Sequence, residues 1–429
     1  MDLDYLKFSL VAVSYAAICA IYFSKVLRGP ERAIAASFSV FFFFFNAFGV
    51  SDANTDISLL PKFIISIAFF LLGAWFGSVL ARRAGVTVFM SDHTLRQFLA
   101  KHRGASIIVS TFISLSILEL TFPEFRLHLL FSLPELDIRQ WFERRLMPEQ
   151  RGAISYFLIL MVPLYYLALS HYIKSWWVVL FLLLLPIYFG FVKEGYIGRY
   201  EIAVKILIYW LYLWFFWPKT RVTLLLLTVA GLPFLLLAFN VFAFVRLGVP
   251  FADAIYIAGN NVVAVLESEV TFLQVSGNTL IESGRSIDLQ AYFIWLLTLP
   301  LPGFLKTGLP ISLVNFEISE IVLGLRVADQ GFFVLLPGLL AESIFLYGGL
   351  FFIHFLFLGV LGGVVSQISG RSGCMFFLHL FFIVSFGLVL NRGGIASLAP
   401  HIFTEPIFFV FLLLFIIYWS QQTRKGMRR

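Results

Sequence analysis

The sequence predicts an all-α, polytopic membrane protein of about 11 transmembrane helices, and three observations lead there. Apolar residues make up 60% of the chain and charged ones 13%, outside the usual range of a water-soluble domain. Apolar runs of membrane-spanning length recur from one end to the other. Those runs are continuous instead of alternating, which excludes a transmembrane barrel.

Taken in order, the N-terminal block (residues 1–243) holds eight spans, at 6–23, 33–50, 62–80, 105–122, 154–172, 176–192, 201–217 and 222–243. The first lacks a basic leader and a small-residue cleavage site, so it reads as a retained helix. Between the fourth and fifth lies a polar stretch, 123–152. In it Ile138, Trp141, Phe142 and Leu146 recur at helical spacing, with Arg139, Glu143, Arg144 and Arg145 among them. That pattern predicts a helix lying along the outer interface. Residues 244–336 form a large outer loop, too long and too patterned for a linker. Its apolar piece Ala291–Leu305 is too short to span, carries Pro300 and Pro302, and reads as a re-entrant or interface-lying segment. The C-terminal block (337–429) adds spans at 337–366, 374–390 and 405–419.

Orientation follows from the basic residues. Lys25, Arg28 and Arg32, then Arg82, Arg83, Arg96, Lys101 and Arg103, then Lys174, Lys219, Arg221, Arg371 and the tail Arg424, Lys425, Arg428 and Arg429 crowd into short connections. The basic residues of the other side are spread over much longer loops, so the crowded side is cytoplasmic, with the N-terminus outside and the C-terminus inside. The net charge of +7 belongs to loops that meet lipid headgroups and implies no nucleic-acid partner. Cys19 and Cys374 fall near the cytoplasmic side, where neither a disulfide nor a metal site is expected.

The stretch from Arg326 to Ser366 organises the chemistry. A polar loop turns into helix at Pro337, where a missing N–H costs nothing. Continuing to Ser366, that helix is roughly 45 Å long at the usual rise, against a hydrocarbon core of roughly 30 Å. Glu342 is thereby expected at the water edge, facing the preceding loop. An acid near a helix start also serves simply to complement the macrodipole. Glu119, His354 and His379 are ionisable groups at membrane depth, where a functional role is the default. The two histidines also read as neutral rings bonded to a neighbouring helix. Gly348, Gly349, Gly359, Gly362 and Gly363 read as close-packing positions.

No dinucleotide, phosphate-loop, zinc-hydrolase or serine-hydrolase motif is present, and no cofactor is expected. Instead Arg199, Arg246, Arg285, Lys306, Arg326 and Arg392 fall at or near the outer surface. The planar guanidinium fork holds phosphate by paired, charge-assisted bonds. Any one of these residues equally well snorkels to lipid phosphate or pairs with an acid. Arg199 follows Gly198 at a helix start, which already favours an anion, and Arg285 stands in a loop with almost no other basic charge.

The run PGLLAESIFLYGG, followed by an apolar stretch through GVLGG, resembles the closing part of the bacterial O-antigen polymerase (Wzy) family. GYIGRYEIAV, the ESGRS and TLPLPGFLK pieces of the long loop, and NRGGIASLAP resemble other family segments in the same order. No glycine follows Arg199 at the spacing of the family's arginine-glycine motif. The resemblance implies a glycosyltransferase-C-like (GT-C-like) architecture and a metal-independent reaction between two undecaprenyl-diphosphate-linked oligosaccharides at the periplasmic face of the inner membrane. The hydroxyl of one unit attacks the anomeric carbon of the growing chain, and undecaprenyl diphosphate leaves. Arg199 and Arg285 then stabilise the diphosphate, with Arg246, Lys306, Arg326, Arg392 and His401 on the substrate. Glu342 acts as base or orients an arginine, with Asp329 and His401 behind it. Membrane lipids, a chain-length regulator and a flippase are the expected partners. An O-antigen ligase and a lipid-linked oligosaccharide flippase stand as alternatives.

Overall fold

The computed structural model describes residues 3–51, 59–84, 165–166, 169–170, 172–194, 199–246, 249–260, 288–299, 308–310, 314–326, 329, 334–336, 338–370 and 376–404. Among them regular structure is helical throughout, with no strand. Five helical stretches are long and apolar enough to cross a membrane: Leu6–Val26, Leu59–Arg83, Pro218–Val241, Leu339–Ser369 and Phe376–Ile402. These make the protein a helical membrane protein. The predicted spans at 105–122 and 405–419, and the interfacial stretch 123–152, lie outside the described residues.

The chain divides into two compact units, Met1–Leu95 with Val270–Ile407 and Leu413–Arg429, and Arg96–Glu269 with Phe408–Leu412. In the first, α1 (Leu3–Ile21) runs on through a π-helical turn to Val26, and α2 (Glu31–Ser51) and α3 (Leu59–Arg83) follow. The second contains α4 (Trp176–Glu194), α5 (Arg199–Phe216), α6 (Arg221–Arg246) and α7 (Phe251–Asn260). The remainder of the first unit is α8 (Leu289–Thr298), α9 (Val314–Leu323), α10 (Leu339–Tyr347), α11 (Phe351–Ser369), α12 (Phe376–Val384), a π-helical turn over Ser385–Val389, and α13 (Leu390–Thr404). Three helices of ten residues each, α7, α8 and α9, thus stand within the stretch read as one long loop. Asp288 caps α8 by accepting the Gln290 N–H at 2.9 Å, a standard N-cap.

The core of the first unit is set by glycines. Gly73 and Gly77 of α3 face Gly359 and Gly363 of α11, and a Cβ at any of the four meets the other helix's backbone. At Gly73 it stands 3.0 Å from Val360 N, and at Gly363 2.7 Å from Ser78 N. Lipid offers no hydrophobic force between helices, so such backbone approach, with its dense dispersion contact, is what holds a pair together. Aromatic rings fill the flanks. Phe38 stacks on Phe70 at 3.5 Å, Phe42 on Phe63 at 5.0 Å, and Phe355 meets Phe42 edge-on at 5.4 Å. Two of the five phenylalanines in the run 41–45 are thus explained by packing, since Phe42 and Phe45 are buried.

Two expectations are corrected. The helix drawn unbroken from Pro337 to Ser366 is two helices. Gly348 closes α10 at φ 53, ψ −122, a single turn of 3₁₀ helix follows over Gly348–Leu350, and α11 then starts. The Gly348–Gly349 pair is the physical reason, because a positive φ is open to glycine and strained for other residues. Both glycines have open space where a Cβ would stand, so they are not packing positions; Gly359 and Gly363 are. The second correction concerns NRGGIASLAP, expected as a turn between spans. It is helical in α13 and interrupted only at Gly394, at φ 65, ψ −164.

Candidate functional site

The break at Gly394 builds the site. A helix that restarts leaves its first amides without intrahelical acceptors, and they favour an anion. Here the anion is intramolecular. The Glu342 carboxylate of α10 accepts the Ile395 N–H at 2.7 Å and the Ala396 N–H at 3.2 Å. A Cβ on Gly394 collides with that same carboxylate. Glycine is therefore required at 394 twice over, for its φ and for room.

Glu342 is 0% exposed, which corrects the expectation of an acid facing water. α10 is buried along nearly its whole length, because α13 covers the start of the helix that the sequence placed in the headgroup layer. Across the Gly348 break, the His354 Nε2 lies 3.8 Å from Glu342 Oε2 and has no hydrogen-bond partner among the described residues. The His354 ring packs against Tyr347 with centroids 5.3 Å apart. The Tyr292 phenol of α8 joins them. Burial first, and then the charges of Glu342 and Tyr347, push it above the usual phenol range. Its hydroxyl is buried, also without a partner among the described residues. Neither Tyr292 nor the two amides were singled out from the sequence.

The other expected site residues divide. Arg392 is half-buried two positions before Gly394, so the Glu342 contact fixes the backbone that presents it. His401 is on the same helix, stacked on Phe381 at 4.6 Å. Arg326 and Asp329 are exposed and close a turn on each other, with the Arg326 N–H donating to Asp329 Oδ2 at 2.7 Å and the Asp329 N–H donating to Arg326 O at 2.9 Å. Asp329 is thus engaged with Arg326. Arg199 is the first residue of α5 and Arg246 the last of α6, both in the second unit. Arg285, Lys306 and Glu119 lie outside the described residues. His379 shares a hydrogen bond with Ser369 Oγ at 3.1 Å, the bond to a neighbouring helix expected of it.

A second buried acid escaped the sequence reading. Glu31, at the start of α2, is 1% exposed. Its carboxylate accepts the Gly29 N–H at 2.8 Å, the Ser78 hydroxyl at 3.0 Å and the Gln367 side-chain amide at 2.9 Å. It ties α2, α3 and α11 together where the glycine contact ends. Beside Arg28 and Arg32 it looks in sequence like ordinary loop charge.

Fold and site together define a multi-pass helical membrane protein in which two interrupted spans join at a buried acid. No family model, curated protein or solved structure matches the chain.

Proposed function

We propose that the protein polymerises undecaprenyl-diphosphate-linked oligosaccharide repeat units into O-antigen or a related surface polysaccharide at the outer face of the plasma membrane. One observation carries this reading. The two separate stretches that resemble the polymerase family, PGLLAESIFLYGG and NRGGIASLAP, pack on each other and are hydrogen-bonded through the Glu342 carboxylate on the Ile395 and Ala396 amides. In the reaction a bond forms between the acceptor hydroxyl oxygen and the anomeric carbon, and the bond from that carbon to diphosphate breaks. The hydroxyl proton leaves with the solvent or the diphosphate. Arginine neutralises the departing diphosphate, and Arg392, beside the Gly394 break, is assigned to that task. Glu342, engaged with two amides, is a positioning residue. It holds the Gly394 break and through it Arg392, the second of the two roles considered for it.

The test is a gel of surface glycan from a strain lacking the chain beside its parent. Single repeat units on the lipid core support the polymerase. Bare core with polymer stranded on undecaprenyl diphosphate refutes it in favour of a ligase.

A transporter of the same lipid-linked units is the second reading, favoured by the interruption of two spans at Gly348 and Gly394. Broken helices near one another are how many transporters build a site within the membrane. Loss of a transporter strands single units on the inner face.

A further inference from the structure

We infer that one end of the α4–α5–α6 helices is a binding site for an anionic phospholipid headgroup, formed by Lys174, Lys219 and Arg221. Two turns meet there, residues 172–175 before α4 and residues 217–220 between α5 and α6. They are bolted together by aromatic side chains. The Trp217 indole N–H donates to Tyr212 Oη at 3.0 Å, and the Tyr212 hydroxyl donates to Ile173 O in the other turn at 2.6 Å. The Tyr209 hydroxyl donates to Trp176 O at 3.3 Å. Three cations thus stand on a preformed platform. Lys174 and Lys219 are exposed. Arg221 is anchored by its Nε to Trp214 O at 2.9 Å, with its guanidinium 5.4 Å from the Trp214 ring. Its terminal nitrogens carry the donors that remain.

Charge complementarity decides the occupant. The two turns contain no aspartate or glutamate, and none of the three cations pairs with a carboxylate among the described residues. The acids of this helix group, Glu194 and Glu201, sit at the far ends of α4 and α5, roughly 27 Å and roughly 23 Å along their helices at 1.5 Å per residue. Trp176 and Trp177, stacked at 3.7 Å and 37% and 65% exposed, mark the level of the headgroups, where amphipathic rings sit. Basic clusters between helix ends at that level take phosphate headgroups. The basic loops of the sequence place this end inside, where anionic lipid is concentrated.

The experiment uses the purified full chain in nanodiscs that mix phosphatidylcholine with phosphatidylglycerol, and measures phosphatidylglycerol retained per protein by mass spectrometry. The wild type enriches phosphatidylglycerol. Enrichment falls about fivefold for each cation changed to Gln in Lys174→Gln, Lys219→Gln and Arg221→Gln. The Lys174→Gln/Lys219→Gln pair leaves the Arg221 anchor intact and serves if the triple variant is poorly folded. The charge-matched control, Lys25→Gln with Arg28→Gln and Arg32→Gln, removes the same charge from the same face without touching the platform and loses clearly less enrichment than the triple variant. Equal losses in both sets, no loss in either, or displacement of the lipid by inorganic phosphate overturns the proposal.

Discussion

Replacing Gly359 by alanine forces α3 and α11 apart, and the cost can be worked from the contact. The new methyl stands 2.9 Å from Ala74 N and 3.0 Å from Gly73 Cα, besides meeting Phe70 O. Carbon contacts are comfortable at about 3.5–4.0 Å, so the helices must separate by roughly 0.5–1 Å at this layer. A gap of that size forfeits about a quarter to a half of the dispersion energy of every pair it opens. Overpacking of this kind costs about 1–3 kcal/mol, and the rigid backbone partners point to the upper end. The assay is equilibrium unfolding of the detergent-purified protein. Gly73→Ala should behave alike, because Gly73 and Gly359 face each other. The double variant should cost less than the sum by about 1 kcal/mol, since the first methyl already opens the layer. Gly231→Ala is the control. It meets nothing within 4 Å on α6 and should be neutral or stabilise by up to about 1 kcal/mol. If Gly359→Ala matches wild type within about 0.5 kcal/mol, the glycine contact is not what holds the two helices.

The buried acids give further tests. Glu342→Ala leaves the Ile395 and Ala396 amides without an acceptor and should destabilise by about 3–4 kcal/mol, with Glu342→Gln milder because its amide oxygen still accepts one bond. Gly394→Ala should lower folded yield, since left-handed backbone costs about 1–3 kcal/mol and the methyl meets Glu342 as well. Under the polymerase reading, Arg392→Ala should shorten surface glycan on a gel at unchanged protein level. Glu317 supplies a pH test. Burial first, then the Glu320 and Asp288 carboxylates, raise its pKa above 4.5. The folded chain therefore holds this proton more tightly than the unfolded one, and stability falls as pH rises from the ordinary carboxylate value through the raised one. Glu317→Gln should flatten that part of the profile measured by thermal unfolding.

What the sequence discloses and what it hides follow one rule. Helices α1 to α6 are legible because an apolar run answers to its own length and composition. Glu342 is legible as a lone acid in such a run, and Gly359 and Gly363 as small residues at helical spacing. The partners are not. The amides that bury Glu342 lie 53 and 54 residues further on, and they exist only because Gly394 takes a positive φ. Gly73 and Gly77 acquire meaning only opposite Gly359 and Gly363. The Gly348–Gly349 pair was in plain view, but whether two glycines pack or bend is decided by backbone angles that no pattern records. Glu31 was hidden by its neighbours, because its buried partners Ser78 and Gln367 come from distant helices.

The glycine contact also bears on how the chain is made. α3 is among the first helices to be synthesised, and α11 among the last. The 267 residues from Ala84 to Leu350 are synthesised between them. Until α11 arrives, the narrow groove of α3 has no tenant, and the Ser78 hydroxyl and Glu31 carboxylate beside it lack one of their bonds. The centre of this unit is therefore closed late, by a helix threading into a slot held open for it. A chain cut before residue 351 should insert its early helices yet remain a target for quality-control proteases. Supplying α11 with the rest of the C-terminal segment as a separate polypeptide should rescue it.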